Sequence, residues 1–338
     1  MIVGSIDTKR KPMVIAEIGN NHEGSLDQAV RLVRSVATTG AQVVKFQTFK
    51  TEYYVSPENS KRFEQLKHFE LSENDFREIA RIAAEEGLVF LSTPFDLLSA
   101  KFLNDLVPAF KIGSGENTFY PLLSAVASFG KPIILSTGCA DVEIITTALN
   151  TIDKSRSGLN LEADTAILHC ITSYPTNKED CNLAAITQLK QNFPGLTVGY
   201  SDHTLDMDAC LIAIALGAEI IEKHFTLDKN WSAFHDHKLS ATADELKEFM
   251  QKARDVRLLL GAGHKAPRPC EIEIENKVRR AICAAIDLPQ GLTIESNHLC
   301  WTRPLGNGLE PGRENLLVGK RTLVAIKKGE RILADFVT

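Results

Sequence analysis

Three sets of side chains in this chain could do chemistry together. His203, in YSDHT, and His224, in EKHFT, offer imidazoles that suit Mn, Fe, Co or Zn, with Glu222 and Asp202 placed to orient or supplement them. The plainer reading of the pair is two hydrogen-bonded core histidines. Lys45 and Lys111, with the hydroxyls of Thr93, Ser114, Ser136 and Ser201, could hold a compact anion that carries both a phosphate and a carboxylate. Gly113 and Gly115 in KIGSG, and Gly138 in STG, would let backbone N–H groups approach a phosphate. Glu17, Glu116 and Asp236 are the carboxylates that could move protons, since a buried carboxyl titrates closer to neutrality than an exposed one.

These residues need a scaffold that brings distant segments to one place. Eight short, β-rich apolar runs recur along the chain: 13–19, 41–48, 88–94, 109–115, 132–138, 166–172, 196–202 and 218–225. Continuous apolar runs of this length fit strands buried on both faces of a parallel sheet. Amphipathic stretches such as SLDQAVRLVRSVATTG and ENDFREIARIAAEEG separate them, and several stop at Gly. Eight such units predict a (β/α)8 barrel (TIM barrel), with an open doubly wound sheet as the alternative. No G-x-G-x-x-G follows the first run, which weakens a dinucleotide-binding reading. In a barrel the C-terminal strand ends share one mouth. Here those ends carry Glu17, Lys45, Gln47, Ser92, Thr93, Lys111, Ser114, Glu116, Ser136, Thr137, Thr172, Ser173, Tyr174, Ser201, Asp202, His203, Glu222, Lys223 and His224.

A chain of 338 residues exceeds the usual size of one core, which predicts two units. The expected boundaries are a catalytic barrel over 1–262, a linker over 263–276 (GAGHKAPRPCEIE, 261–273, overlaps it), and a small β-rich domain over 277–338. A net charge of −5 argues against a nucleic-acid surface. No run of apolar residues is long enough to span a membrane, and the N-terminal segment does not read as a signal peptide. Seven scattered cysteines without C-x-x-C read as reduced thiols of a cytoplasmic protein.

The motifs AEIGNNHEGSL, VVKFQTF, FLSTPFD, KIGSGE, KPIILSTG, HCITSYPT, GYSDHT and EKHFTLDK resemble, in order, those of the nonulosonic acid synthases, the family of sialic acid synthase. The resemblance covers residues 13–336, and the C-terminal region resembles the antifreeze-like (SAF) domain of that family. It implies condensation of phosphoenolpyruvate with an open-chain N-acetylmannosamine-type sugar, giving a nine-carbon 2-keto sugar acid and phosphate. It implies a divalent metal, Mn²⁺ with Mg²⁺ or Co²⁺ as alternatives, on His203 and His224. Phosphoenolpyruvate contacts would be Lys45, Thr93, Lys111, Ser114, Ser136 and Ser201. Sugar contacts would be Gln47, Glu116, Tyr174 and Asp236, with Thr172 at the position where some members carry Asn. Glu17 and Glu222 join the two lysines as catalytic candidates. Arg303, in WTRPLGNG, matches an arginine that reaches the mouth of a partner subunit, which implies a domain-swapped homodimer.

The chain departs from the N-acetylneuraminate synthase pattern in the segment 55–71 and at AFHDH, which brings in His235. Both departures touch sugar-facing positions. Two other functions stay open on the residues alone. One is a Schiff-base aldolase using Lys45, Lys111 or Lys223; the other is a non-catalytic sugar-binding protein.

Overall fold

The computed structural model describes residues 1–338, the side chain of Asn276 excepted. The chain forms two compact units, Met1–Gly261 and Ala262–Thr338. The first is built on eight parallel strands: β1 Met13–Gly19, β2 Val43–Thr48, β3 Val89–Pro94, β4 Phe110–Ile112, β5 Ile133–Ser136, β6 Thr165–Cys170, β7 Thr197–Asp202 and β8 Ile220–His224. They are hydrogen-bonded in the order β3-β2-β1-β8-β7-β6-β5-β4, and β3 and β4 pack side by side, so the sheet curls into a (β/α)8 barrel. Each strand overlaps one of the eight apolar runs. A short antiparallel hairpin, Ile2–Val3 with Ile6–Asp7, precedes β1.

The helices between the strands start where local chemistry tells them to. Ser25 caps Leu26–Ala37 by accepting from the Gln28 N–H, and Ser72 and Thr242 open Glu73–Glu85 and Ala243–Leu260 with reciprocal capping boxes. Their apolar faces bury Leu32, Val36, Ile79, Ile82, Leu246 and Phe249 against the outside of the barrel in one continuous core.

Side chains alternate in and out along each strand, and that alternation decides which polar residues reach the mouth. On β8, Glu222 and His224 face inward while Lys223 faces the helix layer. Lys223 Nζ lies 2.6 Å from Asp202 Oδ2, and Asp202 also accepts from the Tyr200 hydroxyl at 2.9 Å. Asp202 and Lys223, expected at the mouth, therefore form an outward ion pair, and Lys223 is unsuited to Schiff-base chemistry there. Ser92 likewise turns outward to Thr48, 2.7 Å between hydroxyls.

The second unit has its own small core of Ile282, Ala284, Leu288, Ile294, Leu299, Leu317, Ile326 and Ile332. Its strands β9 Ala281–Ala284 and β10 Leu299–Thr302 pair antiparallel, and isolated bridges extend the pairing to Thr293–Arg321 and Leu288–Ile326. The stretch 263–276, expected as plain linker, contains part of a helix, Ile272–Val278, with Glu273 and Glu275 in its first turn. A proline-led 3-10 turn, Pro269–Glu271, starts it, and acidic residues suit a helix N-terminus.

One glycine tests how tightly the barrel is packed. A Cβ on Gly199 would lie 2.5 Å from the Ile220 carbonyl oxygen and 2.6 Å from a Leu168 methyl. Gly199→Ala should therefore cost about 1–3 kcal/mol and lower the melting temperature by several degrees. An unchanged melting temperature would show that β7 and β8 are looser than this packing implies.

Candidate active site

Fifteen of the sixteen residues to which the resemblance gives a role line one cavity of about 290 Å³ at the C-terminal mouth. They are Glu17, Lys45, Gln47, Thr93, Lys111, Ser114, Glu116, Ser136, Thr172, Tyr174, Ser201, His203, Glu222, His224 and Asp236. Arg303 belongs to the second unit, where it is exposed on the segment after β10.

At the floor, β1, β2, β4 and β8 each contribute one buried charge. Lys45 Nζ lies 2.7 Å from Glu17 Oε2 and 3.6 Å from Glu222 Oε2, while Lys111 Nζ lies 3.7 Å from Glu222 Oε1. Hydroxyls complete the cluster. Thr93 accepts from Lys45 at 3.1 Å, Ser136 accepts from Lys111 at 2.6 Å, and Ser201 donates to Glu222 at 2.9 Å. Gln47 donates to Glu17 at 3.2 Å and is itself held by Asn20 at 2.9 Å.

The four charges do not share the burden of burial equally. Burial raises Glu222, but Lys111, Lys45 and Ser201 together outweigh it and hold the carboxyl below its usual range. Glu17 is pushed up to about 7, chiefly by burial, because Lys45 opposes that shift only in part and Glu222 adds to it. Burial lowers Lys45, yet Glu17 and Glu222 reverse the sign and raise it; Lys111 stays lowered because burial dominates. Lys45 is thus held charged, and Glu17 is the member that takes up a proton near neutrality.

Beside this cluster stand the two histidines, their ring centroids 5.4 Å apart. His203 Nδ1 lies 2.7 Å from the Ile171 carbonyl, which fixes the proton there and leaves the Nε2 lone pair free. His224 Nδ1 is buried without a hydrogen-bond partner. Burial lowers the pKa of both rings, so both are neutral imidazoles. Among the described residues no group of three or more His, Cys, Asp or Glu is arranged as a metal cage. Two neutral imidazoles with nitrogens to spare still fit a divalent ion whose remaining positions go to substrate and water.

Two of the three glycines, Gly113 and Gly138, also leave room for neighbouring side chains. A Cβ on Gly138 would collide with Thr172 Oγ1 at 2.2 Å, and one on Gly113 with Glu116 Oε2 at 2.5 Å. They are there so that the site's side chains can close in. The Gly138 N–H already donates to Ser114 Oγ at 3.0 Å.

The rim contains residues that strand-end reasoning missed: Asn20, Tyr54, Arg62, Phe95, Cys170 and Phe234. Of these, Tyr54, Arg62 and Phe234 come from the long loops after β2 and β8, which carry no strand period. Glu116 and Asp236 stand at the same end; Glu116 Oε2 is buried without a hydrogen-bond partner, while Asp236 Oδ1 lies 3.0 Å from His235 Nε2. Burial pushes both up to about 7.

A larger cavity, about 780 Å³, lies at the opposite end of the barrel between helix and strand starts. Its buried guanidinium, Arg156, is already bonded to Thr165 Oγ1 at 2.7 Å and the Lys131 carbonyl at 3.0 Å. Its size is not matched by an acid–base cluster, and the C-terminal mouth is where barrels place their chemistry.

Glu116 gives a pH test of the burial argument. Its folded value of about 7 exceeds the usual 4.5, so its contribution to stability is fully present below pH 4.5 and is lost as pH rises through 7. Glu116→Gln should leave stability little changed at pH 4.5 and gain on wild type by up to about 3 kcal/mol by pH 8. Denaturant melts at the two pH values check this; a gap that does not grow with pH would contradict it.

Comparison with known proteins supplies the family. Residues 32–265 match the profile of the NeuB family. The chain is 38% identical to N,N'-diacetyllegionaminic acid synthase of Legionella pneumophila, covering 96% of this chain and 94% of that one. It is 32% identical to human N-acetylneuraminate-9-phosphate synthase, covering 96% and 92%. The solved N-acetylneuraminic acid (sialic acid) synthetase of Leptospira borgpetersenii superposes with a TM-score of 0.76 at 33% identity, over 82% of this chain and 96% of that one. A barrel with this mouth, matched along nearly its whole length by sialic and legionaminic acid synthases, belongs to the NeuB family.

Proposed function

We propose that the barrel condenses phosphoenolpyruvate with the aldehyde of an open-chain N-acylamino sugar, releasing phosphate and a 2-keto sugar acid. The observation that carries this reading is the buried Lys45–Glu17–Glu222–Lys111 cluster set directly beside two neutral imidazoles. Lysines and hydroxyls suit the phosphate and carboxylate of one small trianion, and the relatives include an N,N'-diacetyllegionaminic acid synthase and an N-acetylneuraminate-9-phosphate synthase.

In this reading Lys45 and Lys111, with Thr93, Ser114, Ser136 and Ser201, orient phosphoenolpyruvate so that its C3 faces the aldehyde carbon. A divalent cation on His203 and His224, Mn²⁺ first among the candidates, would supply Lewis-acid polarisation of the aldehyde oxygen. C3 attacks the aldehyde carbon, the C2 cation that forms takes up water, and the C2–O bond to phosphate then breaks. Glu17 is the group placed to receive the proton that this water loses, since its carboxyl titrates near neutrality. Glu222 stays ionised between the lysines and steadies the positive charge developing at C2. Gln47, Glu116, Thr172, Tyr174 and Asp236 line the sugar's side of the cavity. Arg303 of the partner subunit would complete the mouth in a domain-swapped homodimer, a role that rests on its motif.

Phosphate release from phosphoenolpyruvate should require an N-acyl sugar aldehyde, stop on chelation and return with Mn²⁺. Replacing His203 or His224 with Ala should cost nearly as much as replacing both. Lys111→Ala should lower kcat/KM for phosphoenolpyruvate at least tenfold, the scale of a lost charge-assisted contact. Full turnover without metal, or covalent trapping of pyruvate by borohydride, would contradict the reading. For the dimer, mixing Arg303→Ala subunits with His203→Ala subunits should restore activity, because a swapped dimer gathers both lesions at one mouth. No recovery after confirmed subunit exchange would exclude the swap.

A further inference from the structure

Asp202 and Lys223 form an ion pair that no step of the proposed reaction uses. Its Nζ–Oδ2 distance is 2.6 Å, and the two side chains are 0% and 1% exposed. Every bond the pair can make nearby is made. Asp202 Oδ1 accepts from the Tyr200 hydroxyl at 2.9 Å and from the Thr204 N–H at 3.0 Å. The Thr204 hydroxyl lies 3.0 Å from Oδ2, and the Cys210 thiol donates to the same oxygen at 3.5 Å. Lys223 turns its remaining donors to the carbonyls of Thr204 and Asp206, the latter at 3.1 Å.

A buried ion pair adds little stability, because desolvation offsets most of its attraction; its better-attested use is to fix one arrangement over others. What this pair fixes follows from its position. Asp202 directly precedes His203, Lys223 directly precedes His224, and the two charges are register partners on β7 and β8. Strand β7 ends at Asp202, so the ladder no longer holds the His203 backbone. Side chains take over there: Asp202 accepts from the N–H, and Lys223 donates to the carbonyl, of Thr204, the residue that follows His203. His224 is secured by main chain instead. Its carbonyl accepts from the Ala241 N–H at 2.7 Å, and the N–H of Phe225 donates to the Glu17 carbonyl at 2.7 Å.

Resting on the reading that His203 and His224 hold a divalent cation, we infer that Asp202 and Lys223 are positioning residues for that cation. From the outer face of the barrel they lock the turn after β7, and the locked turn sets the His203 ring opposite the His224 ring at a centroid separation of 5.4 Å. They act through the backbone and touch neither substrate nor cation. A pair that served stability alone would move the melting temperature and leave metal affinity where it was.

The test is calorimetric titration of Mn²⁺ into chelator-treated, full-length protein, with melting of the metal-free protein measured alongside. Asp202→Asn combined with Lys223→Met removes both charges together, so neither is left buried without its partner. This double variant should melt close to wild type and bind Mn²⁺ at least tenfold more weakly, the scale of losing an outer-shell partner of a metal ligand. Phosphoenolpyruvate affinity of the metal-free protein should be unchanged, since Lys45 and Lys111 stand on β2 and β4. Thr204→Val removes one hydroxyl bond to Asp202 and keeps the ion pair. It should weaken Mn²⁺ binding by less, and it serves if the double variant does not fold. Folded variants that bind Mn²⁺ as tightly as wild type, or a melting temperature that falls while Mn²⁺ affinity holds, would overturn the inference alone. Wild type that binds no Mn²⁺ would overturn the metal reading itself, and the inference with it.

Discussion

Two lysines and two glutamates share the dry floor of the barrel mouth, and most of the structure can be understood as holding them there. An ion taken out of water costs several kcal/mol unless its partners are well placed. Here each charge comes from a different strand: Glu17 from β1, Lys45 from β2, Lys111 from β4 and Glu222 from β8. A slip of one residue on any of these strands would turn the charge into the helix layer and leave its partner unpaired. Glu17 and Lys45 are direct register partners on neighbouring strands, which is how a 2.7 Å contact survives at the bottom of a barrel.

The cluster is also unbalanced in a useful way. Glu222, between both lysines, keeps its charge, and Glu17, facing one lysine, yields toward a proton. Two lysines face two carboxylates before substrate arrives, and a proton taken up by Glu17 leaves the floor with net positive charge to offset the phosphate being released. The neutral imidazoles alongside add ligand capacity without adding charge. Fixed dipoles and charges of this kind, arranged before substrate arrives, are what give enzyme sites most of their power.

How much of this could be read from the sequence follows from where each residue sits. Lys45, Lys111, Glu222 and His224 end apolar runs, and a barrel leaves such residues nowhere to go but the mouth, so their convergence was legible. The same reasoning erred for Asp202 and Lys223, because a strand end shows that a residue is near the mouth but not which face it takes. Their mutual pairing across β7 and β8, on the outer face, was the missing fact. Arg62, Tyr54 and Phe234 were invisible for a different reason. They sit on loops with no period, and Arg62 reads in sequence as one more charge on a polar helix. The helix Ile272–Val278 was overlooked because Gly and Pro just before it mask a short helical pattern.

The central claim is that the C-terminal mouth, through Lys45 and Lys111, is the anion site. The most direct measurement is a crystal structure with phosphoenolpyruvate bound. The account predicts phosphate or carboxylate oxygens within hydrogen-bond distance of both lysine ammonium groups. Phosphoenolpyruvate seated instead in the larger cavity at the opposite end, beside Arg156, would contradict it.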